Sequence, residues 1–142
     1  MKTIRNLLDE KGSRVWSVGP QATVYEALAL MAEKGIGALI VTDDTRLIGL
    51  FSERDYARNV VLKGRTSHDM PVREIMSSPV LCVTPEQPLE EAMALMTEHR
   101  VRHLPVIHED GVLGIVSIGD LIKSIISEQK FIIEQLEHYI SS

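Results

Sequence analysis

The strongest chemical signal in this sequence is a run of seven residues that occurs twice. It reads Gly49-Leu50-Phe51-Ser52-Glu53-Arg54-Asp55 in the first copy and Gly114-Ile115-Val116-Ser117-Ile118-Gly119-Asp120 in the second. Each run leads from a β-prone stretch straight into a helix. At such a junction the unpaired backbone N–H groups and the positive end of the helix dipole favour an anion, and the hydroxyl of Ser52 or Ser117 adds a hydrogen bond. Asp55 and Asp120 follow one helical turn later and can accept hydrogen bonds from a sugar diol, as an acidic side chain does in dinucleotide folds. An anion beside a diol describes a nucleoside phosphate. Serine followed three residues later by an acid is equally the spacing of a capping box, which stabilises a helix start with no ligand. The persistence of Ser and Asp while Glu53 and Arg54 diverge to Ile118 and Gly119 favours the ligand reading but leaves the cap open.

Other chemistry-bearing residues are less informative. Gly35-Ile36-Gly37 suggests a dinucleotide glycine loop, yet it leads from helix to strand, the reverse of the order such a loop needs. His99 and His103 are spaced for a metal on one helix face, but His103 falls beyond the expected helix end and no third ligand is evident. Cys82 lies in an apolar strand and reads as core rather than as a nucleophile. No hydrolytic triad is legible, so the chain is expected not to be an enzyme. Arg54, Arg58, Lys63 and Arg65 form a local basic cluster that could meet the phosphates of a ligand or a nucleic acid, although its plain reading is a solvated helix face.

These residues are positioned by an internal duplication. A shift of 65 residues, without a gap, superposes Val15 on Val80, Pro20 on Pro85, Glu26 on Glu91, Met31 on Met96, Leu39 on Leu104, Gly49 on Gly114 and Asp55 on Asp120. Each copy opens with a short strand, Val15 to Val18 or Val80 to Val83, and a proline turn. A helix follows, with Thr23 and Glu26 as a capping box and Val24, Ala27, Leu28 and Met31 on its apolar face; Leu89, Ala92, Met93 and Met96 repeat that face. Two strands then form a hairpin: Ala38 to Val41 and Leu47 to Phe51 around Asp43-Asp44-Thr45-Arg46, or Leu104 to Ile107 and Val112 to Val116 around Glu109-Asp110-Gly111. A second helix begins at Ser52 or Ser117. The order is β-α-β-β-α in each copy, an α/β (α+β) fold, with residues 1–65 as the first domain, residues 66–142 as the second, and Lys63 to Pro71 as polar connector.

Units of roughly 60 residues are marginal alone, so the halves should pack sheet against sheet about a pseudo-twofold axis, leaving two equivalent clefts. The whole chain has 142 residues, 44% apolar and 25% charged, enough for a globular core, with 4% aromatic residues that leave this core aliphatic. Its net charge of −5 disfavours nucleic-acid binding, and one cysteine fits a reducing compartment, with the cytoplasm as default. Charges at Lys2, Arg5, Asp9 and Glu10 interrupt the core that a signal peptide needs, and no apolar stretch is long enough to cross a bilayer.

The order Val83-Thr84-Pro85, Val101-Arg102-His103-Leu104-Pro105-Val106 and Gly114 to Asp120 resembles the CBS domain, with Val72-Arg73-Glu74-Ile75-Met76 similar to the lead-in of a second copy. The resemblance implies a disc-like pair whose clefts bind adenosyl ligands: AMP, ADP, ATP, NAD-type dinucleotides or S-adenosylmethionine. It makes Ser117 a phosphate-side contact, Asp120 the ribose ligand, Val101, Arg102, His103 and Pro105 an adenosine wall with Arg102 at the phosphate, and Thr84 a further contact. In the first copy Ser52 and Asp55 take the same roles, and Gly35-Ile36-Gly37-Ala38 replaces the wall. Gly37 stands where Arg102 stands and Ile40 where Pro105 stands, so either Arg54 supplies the missing cation or this site prefers a less charged ligand, and the two sites are expected to differ, with room for one to stay empty.

The final segment, Leu121 to Ile140, keeps apolar residues at Ile122, Ile125, Ile126, Ile132, Ile133, Leu136 and Tyr139 and reads as an amphipathic helix that either joins two chains or covers this chain's own sheet, the resemblance favouring a second copy. The expected function is a sensor that binds an adenine nucleotide, as a homodimer, and passes its output to another protein. The alternative is a scaffold without a ligand.

Overall fold

The computed structural model describes residues 2–12, 14–109 and 111–141. Helix α1 (Ile4–Lys11) is followed by strand β1 (Ser17–Val18), helix α2 (Val24–Lys34), strands β2 (Ala38–Asp43) and β3 (Arg46–Ser52), and helix α3 (Glu53–Tyr56), which continues as a π-helical turn over Ala57–Val61. A 3-10 turn at Val72–Glu74 leads to helix α4 (Leu89–His99), strands β4 (His103–His108) and β5 (Gly111–Ser117), and the 24-residue helix α5 (Ile118–Ser141). The repeat is therefore physical as well as sequential. Its register is kept in the hairpins, where Ala38 faces Ser52 and His103 faces Ser117. Both hairpins carry an irregularity near the same place, and their turns put Asp44 and Glu109, equivalent residues, at φ of 63° and 54°.

The opening strands are shorter than the apolar residues suggest. Val15 to Val18 contributes only Ser17 and Val18, paired parallel to Ile40 and Val41, and in the second copy the stretch from Val80 reduces to a single bridge of Val83 with Val106. The proline turns at Pro20 and Pro85 leave too little extended chain for a longer ladder. The hairpin strands run further than expected, so the first turn is only Asp44 and Thr45; Asp110 of the second turn lies outside the described residues. At α2 the Thr23 hydroxyl accepts from the Glu26 N–H and donates to the Glu26 carboxylate, a hydroxyl variant of the expected box.

Two aliphatic cores result. Val24, Ala27, Met31, Leu39, Val41 and Phe51 form one, and Leu89, Ala92, Met96, Leu104, Val106, Val116 and Leu121 the other. Each core is completed by the lead-in of the opposite copy. Ile4, Leu7 and Leu8 of α1 pack into the second core, while Met70, Val72 and Ile75 pack into the first. Backbone bonds fix the exchange: Ile4 and Arg5 donate to Gln87 and Pro85, and Val24 donates to Met70 while Val72 donates to Ala22. The connector ending at Pro71 is thus not wholly polar, since Met70 is buried. Strands β3 and β5 meet at the join between halves.

Candidate functional site

A cleft of about 1150 Å³ opens between the two halves, at the upper end of the size of small-molecule sites. From the first half it is lined by Gly37, Ser52, Glu53, Arg54, Asp55 and Arg58, and from the second by His99, Arg100, Val101, Arg102, His103 and Ile118. Ser77 to Leu81, the lead-in to the second copy, closes one side. Seven of the residues picked out in the sequence thus line one cleft: Gly37, Ser52, Arg54, Asp55, Val101, Arg102 and His103. They come together across the halves, where the sequence reading placed Val101 to Pro105 with Ser117 and Asp120. The end of α4 overhangs the start of α3, which carries Val101 to His103 to the opposite half's serine and aspartate.

The remaining predicted residues stand apart from this lining. Ala38 is buried in β2 opposite Ser52, Pro105 is buried in β4 opposite Ile115, and Thr84 is exposed, its N–H donating to the Gln87 side chain. Ser117 and Asp120 sit at the head of α5.

Local geometry explains the Ser52–Asp55 pair. Asp55 Oδ2 accepts from the Ser52 N–H at 2.9 Å and the Ser52 hydroxyl at 3.0 Å, and the Asp55 N–H donates to Ser52 Oγ at 3.2 Å. This is the capping box that the spacing allowed, so the cap is real. It fixes the carboxylate in the cleft lining and leaves its second oxygen, among the described residues, hydrogen-bonded to the Ser77 hydroxyl alone, at 3.3 Å. A neutral hydroxyl that rotates freely is readily exchanged for that of a diol. Gly37 leaves room for Glu53 of its own half: a Cβ there would stand 3.0 Å from Glu53 Oε1, a tight approach, and 3.6 Å from the His103 ring of the opposite half, an ordinary contact.

Four arginines, Arg54, Arg58, Arg100 and Arg102, face two carboxylates, Glu53 and Asp55, so the cleft is cationic in a protein whose net charge is −5. Arg54 also donates to the Arg100 carbonyl and ties the halves together. The sequence singled out Arg58 only as a member of the basic cluster, and Arg100 not at all. A signal for Arg100 existed: it is the equivalent of Gly35, and both end their helices in the left-handed region, at φ of 55° and 65°. Glycine is the natural residue there, and an arginine keeps that conformation at a cost of about 1 kcal/mol. Arg100→Gly is expected to stabilise the unliganded protein by about 0.5–1 kcal/mol in urea unfolding while weakening anion binding; an unchanged affinity for phosphate compounds would remove Arg100 from the site.

Asp120 repeats the cap, accepting from the Ser117 N–H at 2.9 Å, but meets a different partner: Lys11 Nζ lies 2.6 Å from Asp120 Oδ2 and 2.9 Å from the Ile115 carbonyl. Burial pushes the Asp120 carboxyl up, but the Lys11 ammonium and the Ser117 N–H and hydroxyl outweigh it and hold the group below the usual carboxylate range. Burial lowers His103, helped by Lys11 and Arg102 and opposed by Asp120 and Glu53. Both groups have folded pKa values below their unfolded ones. Their stability contribution is therefore complete above the unfolded values, about 6.5 for His and about 3.9 for Asp, and falls with pH beneath each. Stability should decline in two steps on acidification, and His103→Gln should flatten the upper one in pH-dependent thermal melts; an unaltered upper step would contradict the assignment.

Cys82 lies outside any strand and is only partly buried, so it is not the core residue expected, although burial raises its thiol and makes it a poor nucleophile at neutral pH. His99 and His103 both line the cleft, but among the described residues no group of three His, Cys, Asp or Glu side chains could hold a metal ion.

Comparison with known proteins gives this architecture its relatives. A model of the CBS domain matches residues 12–62 and again 72–127. The CBS domain-containing protein CBSX3, mitochondrial, of Arabidopsis thaliana is 36% identical over 148 residues, covering 97% of this chain and 71% of the relative. A solved structure of a protein with CBS domains from Burkholderia ambifaria superposes with a TM-score of 0.87 at 49% identity, over 90% of this chain and 96% of the other. The CBS domain pair of protein MJ0100, solved with 5′-methylthioadenosine and S-adenosyl-L-methionine, shares the fold at a TM-score of 0.79 and 18% identity, over 90% and 98% of the two chains.

Proposed function

This chain belongs to the CBS-domain family, and from that premise we propose that it is a regulatory protein binding an adenine nucleotide, AMP, ADP, ATP or an NAD-type dinucleotide, in the cleft between its halves. CBS-domain pairs are regulatory modules. The observation that carries the nucleotide reading is the opposition, across one cleft, of the Ser52–Asp55 pair on one half and Arg100 and Arg102 on the other. Asp55 would accept from the ribose diol, and the arginines would meet phosphate oxygens through charge-assisted, two-pronged hydrogen bonds. The same charge argues against a sulfonium ligand, which would add a cation to four arginines.

Such a ligand works by population shift. Its contacts on both halves are all made in only one arrangement of the pair, and it favours that arrangement by its difference in affinity. The output then passes to a second protein, and no catalytic step is part of the reading. The division at residues 1–65 and 66–142 is proposed as the boundary between copies, with the exchanged lead-ins making the two halves one folding unit.

A homodimer in the cytoplasm is proposed as the working form. Val61 and Ile126, equivalent residues, are 54% and 57% exposed, and Leu62 and Ile122 beside them are exposed as well. Apolar groups at matching places on both halves suit the self-complementary contact of a twofold pair. A solution mass near 15.9 kDa would contradict it.

Thermal melts in the presence of AMP, ADP, ATP, NAD and S-adenosylmethionine test the reading. A phosphate-bearing adenylate at 100 times its dissociation constant should add about 2.7 kcal/mol of stability. A scaffold with no ligand would gain nothing from any of the five.

A further inference from the structure

The two Ser–Asp pairs have the same cap but not the same neighbour, and the difference lies in the lead-ins. In the first copy the Leu50 carbonyl accepts from the Ser77 N–H at 2.8 Å and the free oxygen of Asp55 is met by the Ser77 hydroxyl. In the second, Lys11 Nζ donates to the equivalent carbonyl, Ile115, and to Asp120 Oδ2, the capping oxygen that also accepts from the Ser117 N–H, so here the cation sits on the cap side of the carboxylate. The residue 65 positions after Lys11 is Met76, which has no charge to place there. A second ammonium lies at a position equivalent to a lining residue of the open cleft, Lys34 standing 65 residues before His99. Trp16 stands at the position equivalent to Leu81, which lines the open cleft, and Lys34 Nζ lies 4.1 Å from the centre of its ring.

We propose that Lys11 is the residue that sets ligand stoichiometry: it occupies the diol-accepting carboxylate of the second groove, so that the chain takes up one nucleotide, at Asp55, rather than two. The inference rests on the nucleotide reading above. A diol that spans both oxygens of the carboxylate competes at Asp120 Oδ2 with a charged donor, whereas at Asp55 it competes only with the neutral hydroxyls of Ser52 and Ser77, and hydrogen bonds between charged partners are about twice as strong. The Lys11 side chain is one-third exposed and its helix is anchored separately by Ile4, Leu7 and Leu8, so the ammonium can be removed without removing α1.

Calorimetric titration with AMP tests this on three full-length proteins: the parent, Lys11→Met, which installs the residue of the other copy, and Lys11→Arg, which keeps the cation. One AMP per chain is expected for the parent and for Lys11→Arg, and two for Lys11→Met, falling back to one in Lys11→Met/Asp120→Asn. Two sites in the parent, or one in Lys11→Met, would overturn the role of Lys11 while leaving the cleft at Asp55 standing. No uptake by any of the three would overturn the nucleotide reading, and the role of Lys11 with it.

Discussion

Asp55→Asn is expected to cut the stabilisation that AMP confers from about 2.7 kcal/mol to about 0.4 kcal/mol, at a concentration 100 times the parent's dissociation constant. The reasoning starts from the cap. An asparagine oxygen still accepts from the Ser52 N–H, so the head of α3 is retained and the unliganded fold should change by well under about 1 kcal/mol. What is lost is the charge on the atom that receives the diol. Hydrogen bonds to a charged group contribute about 1.5–3 kcal/mol, so affinity should drop roughly 10- to 100-fold, and a 100-fold drop gives the lower figure. Thermal melts of parent and variant with and without AMP measure both quantities together. A variant stabilised as strongly as the parent would show that Asp55 only caps its helix.

The second large effect concerns residues far from the ligand. Ile4 is fully buried in the core built from Leu89, Leu104, Val106 and Val116, although it belongs to the opposite end of the chain. Ile4→Ala is expected to cost about 2–5 kcal/mol, from lost burial and the cavity left behind. Ile75→Ala should cost a similar amount in the other core, where Ile75 is 4% exposed. Against a typical total of about 5–15 kcal/mol these are severe losses. The urea midpoint of each variant measures them, and a single cooperative transition in the parent is expected, because each half carries part of the other's core. Losses below about 0.5 kcal/mol would mean that the lead-ins are appendages.

The duplication made most of the architecture legible. Gly49, Ser52 and Asp55 meeting Gly114, Ser117 and Asp120 at one constant shift fixed two hairpins, each delivering a serine to a helix start, and the structure keeps that register. Strand ends were less readable: Val80 and Leu81 line the cleft, and Leu81 also packs against the second core, so their apolar character serves burial and not ladder pairing, and periodicity does not separate the two. The exchange of lead-ins was invisible for a similar reason, since the pattern in Ile4, Leu7 and Leu8 says that a face is buried and not which half buries it.

At the site, residue types were legible and their grouping was not. Ser52, Arg54, Asp55, Arg102 and His103 all line the cleft, but Arg102 and His103 face Ser52 across the join, and a one-dimensional repeat suggests that each copy serves itself. Arg100 carried a mark that went unread, an arginine aligned with a helix-ending glycine. Lys11 carried none. Its role depends on where α1 ends relative to Asp120, which is a property of the packed chain alone.

The account turns on one molecule of adenylate sitting between the halves, and a crystal structure of the protein grown with AMP tests that most directly. The expected density places the ribose hydroxyls on the Asp55 carboxylate and the phosphate among Arg54, Arg58, Arg100 and Arg102. AMP at saturating concentration found elsewhere on the molecule, or nowhere, with the cleft holding only solvent, would contradict it.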